Sequence, residues 1–147
     1  MEKAVKVINI FIAIFWIAIL TLVIFVVVIN GMYAGKINEA EIIIGNSEKF
    51  DEEEINSAVE IILKKFKNSY TQCNLVTLEY HEEKSDREIQ GDRYNFSNTI
   101  IFYASFTTGE KSIENGFSPN STYNGWRFVL TRDSKDGEWK VESTGVM

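Results

Sequence analysis

Hydrophobic residues fall along this chain in distinct rhythms: first an unbroken run, then steps of three and four, then strict alternation. The run, "VINIFIAIFWIAILTLVIFVVVI" from Val7 to Ile29, contains no charged residue. At about 1.5 Å rise per residue, a helix of this length spans the roughly 30 Å hydrocarbon core of a bilayer. A charge at its centre would cost about 2.5–3.5 kcal/mol even on a lenient insertion scale. Asn9 falls near one end, within reach of headgroups, and Thr21 can bond back to its own helix. Trp16 is too deep for an interface anchor; Tyr33 is better placed. A buried core helix is rarely apolar on every side for so long. A cleavable signal peptide has a shorter apolar region, about 7–15 residues, closed by a small-x-small site. Here "INGMYAGK" puts Met32 or Tyr33 where a small residue is wanted, and the single cysteine, Cys73, is far from any lipobox. The pattern favours an uncleaved signal-anchor, with the lipid bilayer as partner through Val7 to Ile29.

The step of three and four occupies "FDEEEINSAVEIILKKFKNSY". Ile55, Ala58, Val59, Ile62, Leu63, Phe66 and Tyr70 form one apolar stripe. Asp51 and Glu54 have capping-box spacing, and Phe50 with Ile55 makes a hydrophobic staple. Glu52 to Glu54 suit the positive start of a helix, and Lys64, Lys65 and Lys67 its negative end. Glu60 and Lys64 are placed for an i,i+4 pair. Alternation follows in "NLVTLEYHE", "NTIIFYASFTT", "GWRFVLTR" and "EWKVES", each a half-buried strand. In the first, Val76, Leu78 and Tyr80 read as the apolar side. "SKDG" closes the last pair as a hairpin. "EEKSDREIQGDRYNFS" and "GEKSIENGFSP" read as polar loops. "EIII", Glu41 to Ile44, fits either an edge strand or a docking segment.

This order predicts an α+β fold: one N-terminal transmembrane helix, then one amphipathic helix packed on a curved antiparallel sheet of about four strands. The expected divisions are a cytoplasmic tail and anchor at 1–30, a linker at 31–49, where "NG" and Gly35 break the helix, and an extracytoplasmic domain at 50–147. Lys3 and Lys6 precede the apolar run, and the positive-inside rule keeps such a tail in the cytoplasm. Removing Glu2, Lys3 and Lys6 from the 15 basic and 21 acidic residues leaves 13 and 20, a net charge of −7 outside the tail. That balance argues against nucleic acid or an anionic membrane surface as partner. One cysteine cannot form an internal disulfide, so the domain must be stable through its core.

Candidate chemistry is sparse. Glu79, His81, Tyr103, Ser105, Arg127 and Thr131 share the polar sheet face if the strands pair in register. Glu79 or His81 could act as a general base there, and Arg127 could hold an anion. The plainer reading is a solvated face, since no element in the sequence is seen to cover it. The loop from Ser118 to Asn124, stiffened by Pro119, offers Asn, Ser and Tyr123 for ligand contact. Its plainer reading is an ordered loop with Tyr123 packed inward and Asn-Gly as a turn before Trp126. Trp126 and Trp139 are expected on the helix-facing side, with Arg127 and Lys140 opposite. Asn95 and Asn120 sit in glycosylation sequons. His81 has no second histidine at a zinc spacing, and "DSKDGE" lacks the alternating acids of a calcium loop. Glu82, Glu83, Asp86, Glu88 and Asp92 form an acidic group in the first long loop. No P-loop or nucleophile elbow is present, so no cofactor is implied, and Cys73 reads as a small packing residue.

"KFDEEEINSAVEIILKKFK", "CNLVTLEYHEEKS" and "FSPNSTYNGWRFVLTRDSKDGEWKV" together resemble a group of uncharacterised extracytoplasmic domains of clostridia and related Gram-positive bacteria. The resemblance covers about Phe50 to Val141. Ser118 and Asn120 depart from its more acidic pattern, and "ESTGVM" lacks its acidic-aromatic ending. The helix-then-sheet order is similar to NTF2-like and cystatin-like folds. The resemblance implies topology and location and brings no activity. On this sequence the first functional expectation is a tethered binding or accessory module for a protein or cell-envelope component. The alternative is an NTF2-like small-molecule binder or enzyme using Glu79 or His81.

Overall fold

The computed structural model describes residues 2–91 and 96–146. Asp92 and the sequon asparagine Asn95 lie outside the described residues. The elements are α1 (Glu2–Tyr33), β1 (Glu41–Ile44), α2 (Glu52–Ser69), β2 (Cys73–Tyr80), α3 (Glu82–Gly91), β3 (Thr99–Thr108), β4 (Thr122–Thr131) and β5 (Lys140–Gly145). The chain divides into two units, 1–33 and 34–147.

The first unit is α1 alone. Its stretch Ile8–Ile29 has a mean hydropathy of 3.3 and buries none of its residues, so it is long and apolar enough to cross a membrane. Thr21 Oγ1 donates to Ala18 O at 2.9 Å, the expected back-bond. Asn30 and Gly31, expected to break the helix, lie inside it. One glycine costs a helix only about 1 kcal/mol, too little to stop so long an apolar run.

The second unit is an α+β domain. α2 begins at a full capping box: Asp51 accepts from Glu54 N at 2.8 Å, and Glu54 Oε2 accepts from Asp51 N at 2.9 Å. Its apolar stripe buries Ile55, Ala58, Val59, Ile62 and Phe66 against one sheet face. Glu60 and Lys64 form no ion pair, an exposed contact worth too little to hold two long side chains.

The sheet has five strands in the order β1-β2-β3-β4-β5, and only β1 runs parallel to its neighbour. The expectation of about four antiparallel strands is therefore corrected. "EIII" is the edge strand, with Ile42 opposite Leu78 and Ile44 opposite Tyr80. Residues 34–49, expected as a linker, are built into the domain. Lys36 N donates to Cys73 O and Leu75 N to Lys36 O, both at 2.9 Å. Gly35 N donates to Lys67 O at 3.0 Å, satisfying a carbonyl at the α2 end.

Each antiparallel pair carries one register shift, and these irregularities bend the sheet. In β2 the shift leaves Val76 exposed and puts Leu75 in the core beside Leu78 and Tyr80, so the strand's expected phase is corrected on its N-terminal side. In β4 it falls at Asn124 and Gly125. Ala104 pairs with Trp126 and Phe106 with Tyr123, leaving two residues opposite Ser105. Gly125 takes φ +68°, a left-handed value glycine adopts without strain. The expected turn at Asn-Gly is thus a bulge within a strand, and it aims Tyr123 and Trp126 at the same face.

A second helix is the larger correction. "EEKSDREIQG", read as loop, is α3. It packs on the face opposite α2, where Ile89, Ile101, Tyr103 and Val129 form a second small core. Among the described residues of α3 only Ser85 and Ile89 are buried, so its sequence lacks the dense apolar stripe that marks α2. Ser85 Oγ accepts from Ile101 N at 3.1 Å, satisfying an amide just past the paired stretch of β2.

Candidate functional site

Strand register brings several of the expected residues together. Glu79 pairs with Tyr103 and Tyr103 with Arg127, so the three form a row across β2, β3 and β4. Ser105 lies opposite Thr77, and Thr131 opposite Thr99, away from that row. His81 is just past the end of β2, its Nε2 3.6 Å from Glu79 Oε2.

This face is not the open, solvated surface expected from the sequence, because α3 lies on it. Arg127 Nη1 meets Glu88 Oε2 at 3.0 Å, which commits the cation expected to hold an anion. Lys84 Nζ sits 3.3 Å from the centre of the Tyr103 ring. Tyr103 is 4% exposed, and burial first, then the Glu88 carboxylate, pushes its phenol well above the ordinary tyrosine range. A phenol so placed stays protonated and meets no solvent. Glu79 and His81 keep the widest water-facing edge of the row, at 35% and 48% side-chain exposure against 21% for Arg127.

His81 borders a polar hollow with Gly45, Asn46, Glu48, Glu82 and Glu83. Glu82 serves structure there. Its Oε2 accepts from Ser47 Oγ and, at 3.0 Å each, from Glu48 N and Lys49 N. Burial pushes the Glu82 carboxyl up, but these donors and the Lys49 charge outweigh it and hold it below the ordinary carboxylate value. Lys49 Nζ also reaches Asp86 Oδ1 at 2.8 Å, so the segment between β1 and α2 is clasped to α3.

A different place collects chemistry suited to binding. At the C-terminal end of α2, a surface hollow of about 390 Å³ is lined by Lys65, Ser69, Tyr70, Asn115, Gly116, Phe117, Tyr123, Trp126 and Thr144. Its rings pack on one another. Tyr123 stacks on Phe106 with centroids 5.0 Å apart, and Phe117 stands edge-on to Tyr123 and Trp126 at 5.4 Å each. Trp126 Nε1 donates to Tyr70 Oη at 2.9 Å, and Ser118 N donates to Tyr123 Oη at 2.9 Å. Phe117, Tyr123 and Trp126 remain half-buried, while Tyr70 is the closed floor. Burial pushes the Tyr70 phenol up, against hydrogen bonds with Thr144 and Trp126.

No family model matches the chain, and neither a curated protein nor a solved structure is similar to it. Of the expected candidates, Glu79, Tyr103 and Arg127 belong to the row under α3, His81 to its edge, and Tyr123 alone to the aromatic hollow. Tyr70, Phe117, Lys65, Asn115 and Thr144 were missed. Tyr70 reads in sequence as the last step of the α2 stripe, and Phe117 stands alone in a polar loop. The available signal was the density of aromatic residues between Phe117 and Trp126.

Proposed function

We propose that this chain is a membrane-tethered recognition module. In this reading α1 anchors it in a bilayer, with Lys3 and Lys6 on the cytoplasmic side, and the α+β domain stands outside. There it binds a protein or cell-envelope component through the hollow at Phe117, Tyr123 and Trp126. The observation that carries the reading is that hollow. Its mix of aromatic surface with a few polar groups supports that reading, as ligand sites combine the two.

The rival reading, an NTF2-like enzyme or small-molecule binder using Glu79 or His81, needs an enclosed pocket with a carboxylate inside. Tyr80 and Phe102 are fully buried with rings 5.3 Å apart, filling the place where such a pocket would open. Arg127, the anion holder in that reading, is engaged by Glu88.

The test is a photoreactive side chain introduced at Asn115, on the rim of the hollow, and separately at Lys135, in the β4–β5 turn. Illumination of intact cells should give a discrete adduct from position 115 and none from 135. Adducts from 135 alone would remove the hollow from the account.

A further inference from the structure

The aromatic hollow has a charge and hydrogen-bonding pattern that narrows what it can hold. We infer that it takes a carboxylate-bearing glycan chain; the inference rests on the hollow being the recognition site. First, the indole donor of the hollow is spent inside the protein. The Trp126 indole N–H is bound to Tyr70 Oη, and Tyr123 Oη accepts the Ser118 amide while keeping its own O–H. A proline-rich peptide in an aromatic groove would draw on such donors for its carbonyl groups, as well as on ring faces. Here the aromatic residues offer ring surface together with the single Tyr123 O–H. A pyranose ring fits that offer, because its C–H face packs on an aromatic ring while its hydroxyl groups point outward.

Second, the polar groups lie around the rings. Ser69, Asn115 and Thr144 are exposed hydroxyl and amide side chains on the rim, from three separate segments. Asn115 Nδ2 is held by Thr71, donating to its O at 3.1 Å and to its Oγ1, which fixes the side chain. An aromatic floor with a hydrogen-bonding border matches a ligand with an apolar face and a hydroxylated edge.

Third, the lining has no acid and one cation, Lys65, in a chain of net charge −6. No ion pair engages Lys65 among the described residues. An aromatic site for a quaternary ammonium would avoid a lysine on its rim. A carboxylate on the ligand would meet Lys65, while the net negative charge of the chain opposes docking elsewhere. The hollow is open to solvent, as a polymer passing across it requires.

The test uses the full chain in detergent micelles and calorimetric titration with four probes: oligogalacturonate, its fully methyl-esterified form, hyaluronan oligosaccharide and chitohexaose. Binding of oligogalacturonate or hyaluronan, with the ester or chitohexaose weaker, is the expected result. Lys65→Gln should weaken the carboxylated probe about tenfold, the loss of one charge-assisted hydrogen bond. Lys64→Gln, its exposed neighbour outside the hollow, should change nothing. Phe117→Ala should abolish binding of every probe; because it also removes core contacts, Lys65→Gln carries the decision. If neither carboxylated probe binds, or if binding is indifferent to Lys65→Gln, the inference is wrong. The crosslink from position 115 then separates the two failures. A protein adduct there would overturn the glycan and keep the recognition site, whereas no adduct and no binding would remove both.

Discussion

A methyl group at residue 35 has nowhere to go. An added Cβ on Gly35 would lie 2.5 Å from Phe66 O and 2.9 Å from Tyr70 O, both backbone atoms that cannot swing aside. Gly35→Ala should therefore cost about 1–3 kcal/mol, as overpacked sites do, read as a lowered urea midpoint. An unchanged midpoint would mean that the segment after α1 does not dock on α2. Asn120 tells a similar story through its backbone: at φ +49° it occupies the left-handed region. Asn120→Ala should cost about 1 kcal/mol and Asn120→Gly nothing, although the residue is exposed. The two tryptophans also separate at this scale. Trp139 is 4% exposed, donates to Glu54 O at 3.0 Å and lies under the Arg132 guanidinium at 4.4 Å. Arg132 is itself buried and pairs with Glu54 Oε1 at 2.7 Å, so the capping box, the cation and the indole form one corner. Trp139→Ala should cost about 3–5 kcal/mol, against a typical domain stability of about 5–15 kcal/mol. Half-buried Trp126 should cost less when truncated. Equal losses from the two in matched urea melts would contradict the packing described.

Among the elements, α2 was legible and α3 was not. The α2 sequence carries cap and stripe together, and both appear in the fold. In α3 the apolar contact reduces to Ile89, with Ser85 serving as a hydrogen-bond acceptor, so periodicity had almost nothing to detect. The covered face left its mark elsewhere. β3 is buried from Thr99 to Ala104 on both sides, and Ile101, Tyr103 and Val129 are apolar at the positions expected to be wet. A strand apolar in both phases is a central strand between two layers. The clasp between α3 and the segment before α2 gives a pH test. The Glu82 carboxyl is held below its ordinary 4.5 by donors that outweigh burial. A folded-state value below the unfolded one means the contribution is complete above that ordinary value. It fades as pH falls through the lower, folded-state value. The urea midpoint of the wild-type chain should drop on acidification below about pH 4.5, and Glu82→Gln should flatten part of that drop. A Glu82→Gln profile parallel to wild type would remove the clasp from the account.

For the molecule as a whole, the sequence conveyed the apolar helix and the helix-and-sheet layering, because long-range patterns survive local irregularity. The aromatic hollow was hidden for the opposite reason. It is assembled from the end of α2, a turn, a bulge and the last strand, and the Gly125 bulge shifts the phase that alternation assumes. The central claim is that a tether holds a recognition domain outside the cell, and one thiol experiment tests it. Cys73 is 1% exposed and burial pushes its thiol up to about 11, so the native chain should be silent to maleimide. Lys135→Cys adds a reactive thiol in the exposed β4–β5 turn, and Ala4→Cys adds one before the apolar run. A membrane-impermeant maleimide on intact cells should label Lys135→Cys on a membrane-bound chain, and Ala4→Cys only after lysis. Labelling of Ala4→Cys alone, or a labelled Lys135→Cys chain released into the medium and shortened past Ile29, would contradict the account.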